Sequence, residues 1–230
     1  MKNNLKQKFP TILNLYYKCR FYFRFFYRRQ VRNHIFWKIK NGDKKMYKNL
    51  NLNKNDLFLD VGSFQGKVIS EINSIYNCEI IGLEPELNNF KYLNEKFKNF
   101  KNIRLYNFGL SNFSGFANMS TDYGLASLSL SKNNENSSIR VEIKNVIDFI
   151  NNLNLKNISV LKLNVEGSEY EILNELIESG FIKNIKILFV QFHMIDHLSK
   201  SKRIDLIQKL RKTHSKEFSY YFVWEKWVII

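Results

Sequence analysis

Residues 56–70 read DLFLDVGSFQGKVIS, in which a short apolar run meets Gly62 and Gly66 and then becomes helix-like. This order predicts a buried strand over residues 57–61, a tight turn, and a helix over residues 66–76. Because glycine has no Cβ, a turn between two glycines lets the backbone bend sharply and approach a ligand closely. The stretch therefore predicts a ligand-contact site, although an ordinary strand-to-helix turn also explains the two glycines taken alone.

Apolar runs recur along the chain, and helical patterns separate them. Four of these runs lack a clean alternation of apolar and polar residues, as expected for strands covered on both faces. The pattern predicts an α/β fold with a doubly wound, Rossmann-like, mostly parallel sheet of seven strands. The predicted strands cover residues 57–61, 79–83, 103–108, 158–164, 185–191, 218–223 and 227–230, and the predicted helices cover 66–76, 87–97, 145–152, 168–179 and 198–212.

The last two predicted strands, FSYYFV and WVII, should form an antiparallel hairpin. Only Trp224, Glu225 and Lys226 separate them, and so short a connection suits a hairpin. A glycine- and serine-rich region after the third strand predicts hairpin-like pieces near residues 115–130 and 138–143. The predicted sheet is therefore mixed.

The net charge of +15 belongs mainly to the N-terminal part of the 230-residue chain. Residues 1–50 hold fourteen Lys or Arg against the single acid Asp43, a net +13, which leaves +2 for residues 51–230. We therefore predict a basic, aromatic, helical arm over residues 1–52 and a domain over residues 53–230. The near-neutral charge of that domain suits a small-molecule enzyme.

Cysteine content and hydropathy bear on the compartment. Cys19 and Cys78 lie far apart in sequence and form no metal or redox motif, and no secretory leader pattern is visible. These features predict a reducing, cytoplasmic location. No uninterrupted apolar run reaches the roughly 18 residues of a membrane span.

The spacing of an acid after the glycine turn points to a nucleoside ligand. The turn reads D-x-G-x-x-x-G from Asp60 and lacks the middle glycine of the dinucleotide fingerprint, which argues against a diphosphate. Glu84 ends the second strand 22 residues after Gly62, near the interval at which a carboxylate binds ribose hydroxyls. S-adenosylmethionine fits these features, with its ammonium available to Asp60 or to loop carbonyls.

Three further segments make the chain similar to a known family. They are YNFGLSNFSG (Tyr106–Gly115), VIDFI (Val146–Ile150) and LKLNVEGSEYEIL (Leu161–Leu173). In this order, together with DVGSFQG and GLEP, they resemble the FkbM-type S-adenosylmethionine-dependent methyltransferases over about residues 55–193. The resemblance implies a class I methyltransferase fold and O-methylation of a hydroxyl on a sugar or other small metabolite.

The resemblance also implies cofactor contacts at matching positions: the loop from Asp60 to Gly66 on the methionine side, Glu84 at the ribose, and Phe108–Leu110 beside adenine. The predicted cofactor-binding residues are Asp60, Gly62, Ser63, Gly66, Glu84, Phe108, Gly109 and Leu110. The chain departs from the family at Ser63–Gln65, where a small or amide-bearing triplet is common. It also has Asn164 where the family commonly has Asp, so an acid or metal role does not carry over to that position.

Methyl transfer to a weakly nucleophilic hydroxyl benefits from a general base near the methyl group. Glu166 and Glu169 follow one predicted parallel strand and His193 follows the next, so all three should lie near the site. As the base we prefer Glu166, then His193, then Glu169. Each has a structural alternative: a turn contact for Glu166, a hydrogen-bonded loop position for His193, and a helix-dipole contact for Glu169. No residue set has convincing metal-ligand spacing, so no tightly bound metal is predicted.

Within the arm, arginines recur every four residues from Arg20 to Arg32, which places them on one helical stripe with aromatic residues largely elsewhere. Such a helix suits an anionic bilayer surface, or a partner protein in glycan assembly, through residues 12–40. This interpretation predicts a peripheral position at the inner face of the membrane. The alternatives are aromatic residues that pack on the domain while the arginines are solvated, and RNA binding.

The sequence leaves three functions open. The first is O-methylation of a glycan, a lipid-linked sugar or another small metabolite. The second is a nucleic-acid methyltransferase whose arm holds its substrate, but Asn164-Val165-Glu166-Gly167 lacks the prolines usual in amino-methylating enzymes, which disfavours it. The third is a membrane-associated adaptor with a decayed catalytic domain, against which the retained cofactor residues argue.

Overall fold

A computed structural model of the chain describes Tyr17 and residues 28–120 and 138–230. The described residues form two compact units. The smaller unit contains residues through Lys48 together with Tyr220–Val223, and the larger unit contains the remainder. The domain boundary predicted between residues 52 and 53 stays a prediction.

Two sequence predictions fall largely outside these residues. They are the arm helix as far as residue 27, apart from Tyr17, and the hairpin piece beyond residue 120.

The larger unit is built on a seven-stranded, mostly parallel sheet, which confirms the predicted fold class. In the described residues the strands are β1 (Leu57–Val61), β2 (Glu79–Leu83), β3 (Ile103–Tyr106), β4 (Gly109–Ser111), β5 (Gly115–Ser120), β6 (Ser138–Asn145), β7 (Ile158–Leu163), β8 (Ile185–Val190), β9 (His214–Tyr220) and β10 (Trp224–Ile229). The order across the main sheet is β3-β2-β1-β7-β8-β10-β9, with parallel pairing from β3 to β8 and β10 antiparallel to β8. The chain thus leaves β1 towards β2 on one side and returns to β7 on the other, which makes the β1/β7 boundary the switch point of the sheet.

Helices separate the strands as the sequence predicts. They are α1 (Arg29–Ile39), α2 (Gly42–Lys45), α3 (Lys67–Tyr76), α4 (Leu87–Phe97), α5 (Val146–Asn152), α6 (Glu169–Glu178) and α7 (Ser199–Leu210), with a 3₁₀ turn at Phe181–Asn184. Glu86 caps α4 by accepting hydrogen bonds from the backbone amides of Asn88 and Asn89, which satisfies two of the free donors at the helix start. The cap fixes the beginning of α4 immediately after β2.

The central strands are covered on both faces. All six residues of β7 are buried, as are the last four residues of β1 and of β2. Ile69 and Ile72 of α3 are fully buried as well. This burial explains why the apolar runs show no alternation.

A second, three-stranded sheet has the order β4-β6-β5. In it β6 pairs parallel to β4 and antiparallel to β5, around a small core of Ala117, Val141 and Ile143. The third strand of the main sheet therefore ends at Tyr106, two residues earlier than predicted, because the chain crosses to this second sheet.

The C-terminal antiparallel strands exist, but the predicted position of their turn was wrong. The turn occupies residues 221–223, where Val223 N donates to Tyr220 O at 2.8 Å, and Glu225 and Lys226 lie in β10. Both residues are charged yet buried, because each has an ionic partner: Arg203 for Glu225 and Glu217 for Lys226.

The smaller unit contains α1 and α2. Among the residues that the structure describes, no helix is long and apolar enough to cross a bilayer.

Candidate active site

The carboxyl ends of β1, β2 and β7 meet at the switch point. The backbone amides of Gly62 and Ser63 both donate to Leu83 O, at 3.0 and 2.9 Å, and Asn164 N donates to Val61 O at 3.1 Å. These bonds tie the tips of the three strands into one edge, where ligands bind in open α/β sheets.

The two glycines of the opening stretch have different structural roles. Gly62 has φ +82, and a Cβ there would lie only 2.1 Å from Asn164 O, so the β1 and β7 tips can approach only because the side chain is missing. Gly66 has φ +70, and its Cβ would meet Leu93 and Phe97 of α4 at 2.6 and 2.5 Å. The first glycine thus serves the site, and the second serves helix packing.

The Glu84 carboxylate binds the backbone of the glycine loop, residues 62–66. Its Oε2 accepts from Phe64 N at 2.7 Å and its Oε1 accepts from Glu86 N at 3.0 Å. Phe64 has φ +50, a left-handed conformation that turns its amide into this bond. Burial raises the pKa of Glu84, whereas the two amide bonds oppose that shift. Each carboxylate oxygen accepts one bond here and retains a lone pair for a ligand hydroxyl.

The segment predicted to lie beside adenine sits next to Glu84. Asn107 Nδ2 donates to Glu84 O at 2.9 Å and to Pro85 O at 3.1 Å, and a Cβ on Gly109 would lie 3.7 Å from Pro85 Cβ. Phe108 and Leu110 are buried, and the ring of Phe108 packs against Tyr106 and Phe149. The predicted ribose and adenine contacts therefore adjoin one another.

The Asp60 side chain does not face solvent. Its carboxylate is fully buried, with Oδ1 2.7 Å from Lys162 Nζ, and the same ammonium donates to Gly62 O at 2.7 Å. Lys162 lies on β7 directly opposite Asp60 on β1. Lys162 already neutralises the Asp60 carboxylate. The contact predicted between Asp60 and the ammonium of the cofactor stays a prediction.

The three candidate bases form one cluster beyond β7 and β8. His193 Nε2 lies 3.3 Å from Glu166 Oε2, and His193 Nδ1 lies 3.3 Å from Glu169 Oε1. Glu169 also accepts from the backbone amides of His193 at 2.6 Å and Gly167 at 2.8 Å, and its carboxylate is fully buried. The Glu166 side chain is 40% exposed, so it is the carboxylate that a substrate can reach.

The two carboxylates control the charge of the imidazole. Burial by itself lowers the pKa of His193, but the close contacts of its ring with the Glu166 and Glu169 carboxylates and their charges outweigh burial and raise the pKa to about 9. His193 is therefore a cation at neutral pH, held between two acids. Glu166 has φ +51 and Gly167 φ +131, a strained backbone of the kind found at functional sites.

Sequence reasoning missed two residues that shape the site. Lys162 was visible as the one charge in the apolar run ISVLKL, a signal for a buried ion pair. Asn164, noted only as a departure from the family, has a buried Oδ1 that accepts no hydrogen bond from the described residues. Among those residues no group of three or more His, Cys, Asp or Glu side chains could hold a metal ion.

These features fit S-adenosylmethionine. Glu84 offers oxygens for the ribose hydroxyls, the unpartnered Asn164 Oδ1 offers an acceptor, and Gly62 lets the backbone come close.

Comparisons with known proteins identify the family and the fold of the chain. The model of the methyltransferase FkbM domain family matches residues 60–218. The chain is similar in structure to the FkbM methyltransferase from Methylobacillus flagellatus KT, with a TM-score of 0.55, 12% identity, and coverage of 81% of this chain and 46% of that one. It is also similar to a putative rRNA methylase from Clostridium thermocellum, with a TM-score of 0.54, 10% identity, and coverage of 83% and 95%. No curated protein matches the sequence significantly.

The chain spans about half the length of the Methylobacillus protein, and the two structural likenesses show the fold alone. The family model, however, covers well over half of this chain and includes the glycine loop, Glu84 and the Glu166–His193 cluster. The chain therefore belongs to the family of FkbM methyltransferase domains.

Proposed function

We propose that the protein O-methylates a hydroxyl of a sugar or other small metabolite, with Glu166 as the general base. The observation that supports this most directly is the pair formed by Glu166 and His193 at the carboxyl edge of the sheet. A carboxylate oriented by a cation is suited to accept the proton of a hydroxyl as that oxygen becomes a nucleophile.

Each residue has a definite task in this proposal. When bound, S-adenosylmethionine supplies the methyl group to the acceptor oxygen and remains as S-adenosylhomocysteine. Glu166 takes the hydroxyl proton. His193, protonated and held in place by Glu169, fixes the orientation of the Glu166 carboxylate.

The neighbouring residues explain the choice among the three bases. Both oxygens of Glu169 already accept backbone amides in a buried position, so this residue positions His193 and does not meet substrate. His193 is protonated at neutral pH and has no free lone pair for a proton. Glu166 is partly exposed, and its ion pair with His193 uses Oε2, which leaves Oε1 for a substrate hydroxyl.

An apolar surface lies beside Glu166 and offers a contact for the acceptor. Ile195 packs on Gly167, where a Cβ would meet its Cδ1 at 2.5 Å, yet Ile195 is 48% exposed. Ser199 Oγ accepts from the amides of Ile195 and Asp196, both at 3.0 Å, which holds this loop in place. Small-molecule sites combine such apolar contacts with a few polar groups, and a sugar ring presents both kinds of surface.

A labelling experiment tests the proposal. The purified chain is incubated with S-adenosylmethionine carrying a ¹³C-methyl group and a panel of nucleotide sugars and free sugars, and products are analysed by mass spectrometry. We expect label on a sugar oxygen, lost in Glu166→Gln and retained in Glu79→Gln, which removes an exposed carboxylate at the start of β2. Label in added RNA with none in any sugar would overturn the proposed substrate class.

A further inference from the structure

The outer face of α1 combines apolar side chains with cations. Arg29, Arg32, Phe36 and Ile39 follow an i, i+3, i+7, i+10 spacing, which places them on one side of the helix. Phe36 is 43% exposed and Ile39 is 69% exposed. The two exposed apolar side chains therefore lie on the same side of the helix, three residues apart.

Contacts inside the smaller unit hold an adjoining face of α1, which carries Asn33 and Trp37. Trp37 is buried, packs edge-on against Tyr220 with 5.1 Å between ring centroids, and donates from Nε1 to Asp43 Oδ1 at 2.7 Å. Asn33 Oδ1 accepts from Tyr221 N at 3.2 Å. These contacts fix the rotation of α1 about its axis, and Ile39 lies on the side of the helix away from Trp37.

The residues around this face carry almost only positive charge. Residues 28–48 carry eight Lys or Arg and one acid, Asp43, a net +7. None of these eight cations forms an ion pair with any residue that the structure describes, although Arg29 lies 4.5 Å above the ring of Tyr221. Four exposed lysines lie at or just beyond the C-terminal end of α1: Lys38, Lys40, Lys44 and Lys45.

We propose that α1 and α2 bind the surface of an anionic membrane, with Phe36 and Ile39 inserted at the headgroup level and these four lysines on the lipid phosphates. Charge complementarity supports this occupant, since basic segments are drawn to anionic lipid surfaces. The exposed aliphatic side chain of Ile39 favours lipid over nucleic acid, which would be bound by cations and by rings that stack on bases. The proposal concerns the smaller unit and does not depend on the methyl acceptor.

Vesicle co-sedimentation of the full chain tests this proposal. The probes are vesicles of phosphatidylcholine alone and of phosphatidylcholine mixed with phosphatidylglycerol. We expect binding to the mixed vesicles only, and weaker binding as salt is raised. Replacing Lys38, Lys40, Lys44 and Lys45 by Gln should lower the partition coefficient several hundred-fold, at about fivefold per cation.

Two further variants complete the design. Phe36→Ser with Ile39→Ser keeps every charge and should lower binding on the order of tenfold, because insertion of the apolar side chains is lost. Replacing Lys91, Lys101, Lys156 and Lys183 by Gln makes the same change in net charge at exposed positions of the larger unit, and should leave binding within about threefold of the unmodified chain. Circular dichroism confirms that each variant is folded.

Three results would overturn the proposal. They are equal binding to both kinds of vesicle, an equal loss in the matched control, and retention of the chain on an RNA homopolymer without co-sedimentation. Binding of S-adenosylmethionine, measured on the same samples, reports separately on the proposed enzymatic function.

Discussion

The ammonium of Lys162 lies 2.7 Å from the carboxylate of Asp60, and both side chains are buried at the junction of β7 and β1. The same ammonium donates to the carbonyl oxygen of Gly62, so one buried cation joins the two strands and the glycine loop. Two oppositely charged groups removed from water in this way depend on one another, because the loss of either leaves an uncompensated buried charge.

We expect Lys162→Met to destabilise the fold by roughly 3–5 kcal/mol, as measured by urea denaturation. Lys186→Met is the matched control, since Lys186 is exposed and lies 3.6 Å from Asp56, a surface pair worth at most about 1 kcal/mol. Asp60→Asn combined with Lys162→Met should cost less than the sum of the single changes. Equal effects of Lys162→Met and Lys186→Met would contradict the structural role given to the buried pair.

Gly62→Ala should damage both stability and cofactor binding. The substitution forces a Cβ to within 2.1 Å of Asn164 O at φ +82, so the β1 and β7 tips must separate. Gly180 has nearly the same φ, +78, with no heavy atom within 4 Å, so Gly180→Ala isolates the backbone strain, about 1 kcal/mol. Denaturation should show several kcal/mol of destabilisation for Gly62→Ala only, and calorimetry should show that only this variant loses binding of S-adenosylmethionine. Similar behaviour of the two variants would mean that the close approach of the β1 and β7 tips is unimportant.

Glu166→Gln should lower kcat about a hundred- to ten-thousand-fold without changing the affinity for S-adenosylmethionine, because it removes a base and no cofactor contact. Glu169→Gln should act indirectly, through a less well-oriented His193. Single-turnover kinetics with the acceptor found by the labelling experiment provide the measurement. A kcat for Glu166→Gln within threefold of the unmodified enzyme would exclude it as the base.

His193 should make the fold less stable as the pH rises. Its pKa is about 9 in the folded chain and ordinarily about 6.5, so the folded state holds a proton that the unfolded state has lost between these values. The stabilisation is complete below pH 6.5 and disappears as the pH passes 9, a change on the order of 1–3 kcal/mol.

Denaturation from pH 6 to 10 measures this slope, and His193→Gln should flatten it. An unchanged slope in that variant would show that another group is responsible.

Much of the sheet could be predicted because strands that are buried on both faces appear in the sequence as short apolar runs. The runs at β1, β2, β7 and β8 are mainly apolar since most of their residues are buried, and their bounds differ from the predicted ones by at most one residue. The glycine loop and Glu84 could be related to one another because the distance between them along the chain reflects one strand–helix–strand unit.

Long-range pairing could not be predicted from local pattern. Glu225 and Lys226 can lie in β10 because each is neutralised by a residue of another element. Arg203 of α7 pairs with Glu225, and Glu217 of β9 pairs with Lys226. The second sheet depends on the parallel pairing of β4 with β6, some thirty residues later in the chain. Likewise, the order of preference among Glu166, His193 and Glu169 was based on position in the sequence, whereas the division of tasks proposed for them is based on burial and on the amides that Glu169 accepts.

The most direct test of the account is calorimetric titration of the protein with S-adenosylmethionine, for the unmodified chain and for Glu84→Ala. Glu84 lies where the ribose hydroxyls should bind, and its carboxylate also accepts the amide of Phe64 at 2.7 Å. The account predicts saturable heat for the unmodified chain and at least a hundredfold weaker binding for Glu84→Ala, about 3 kcal/mol, as expected when hydrogen bonds to a charged group are lost. Equal affinities of the two proteins, or no binding by either, would contradict it.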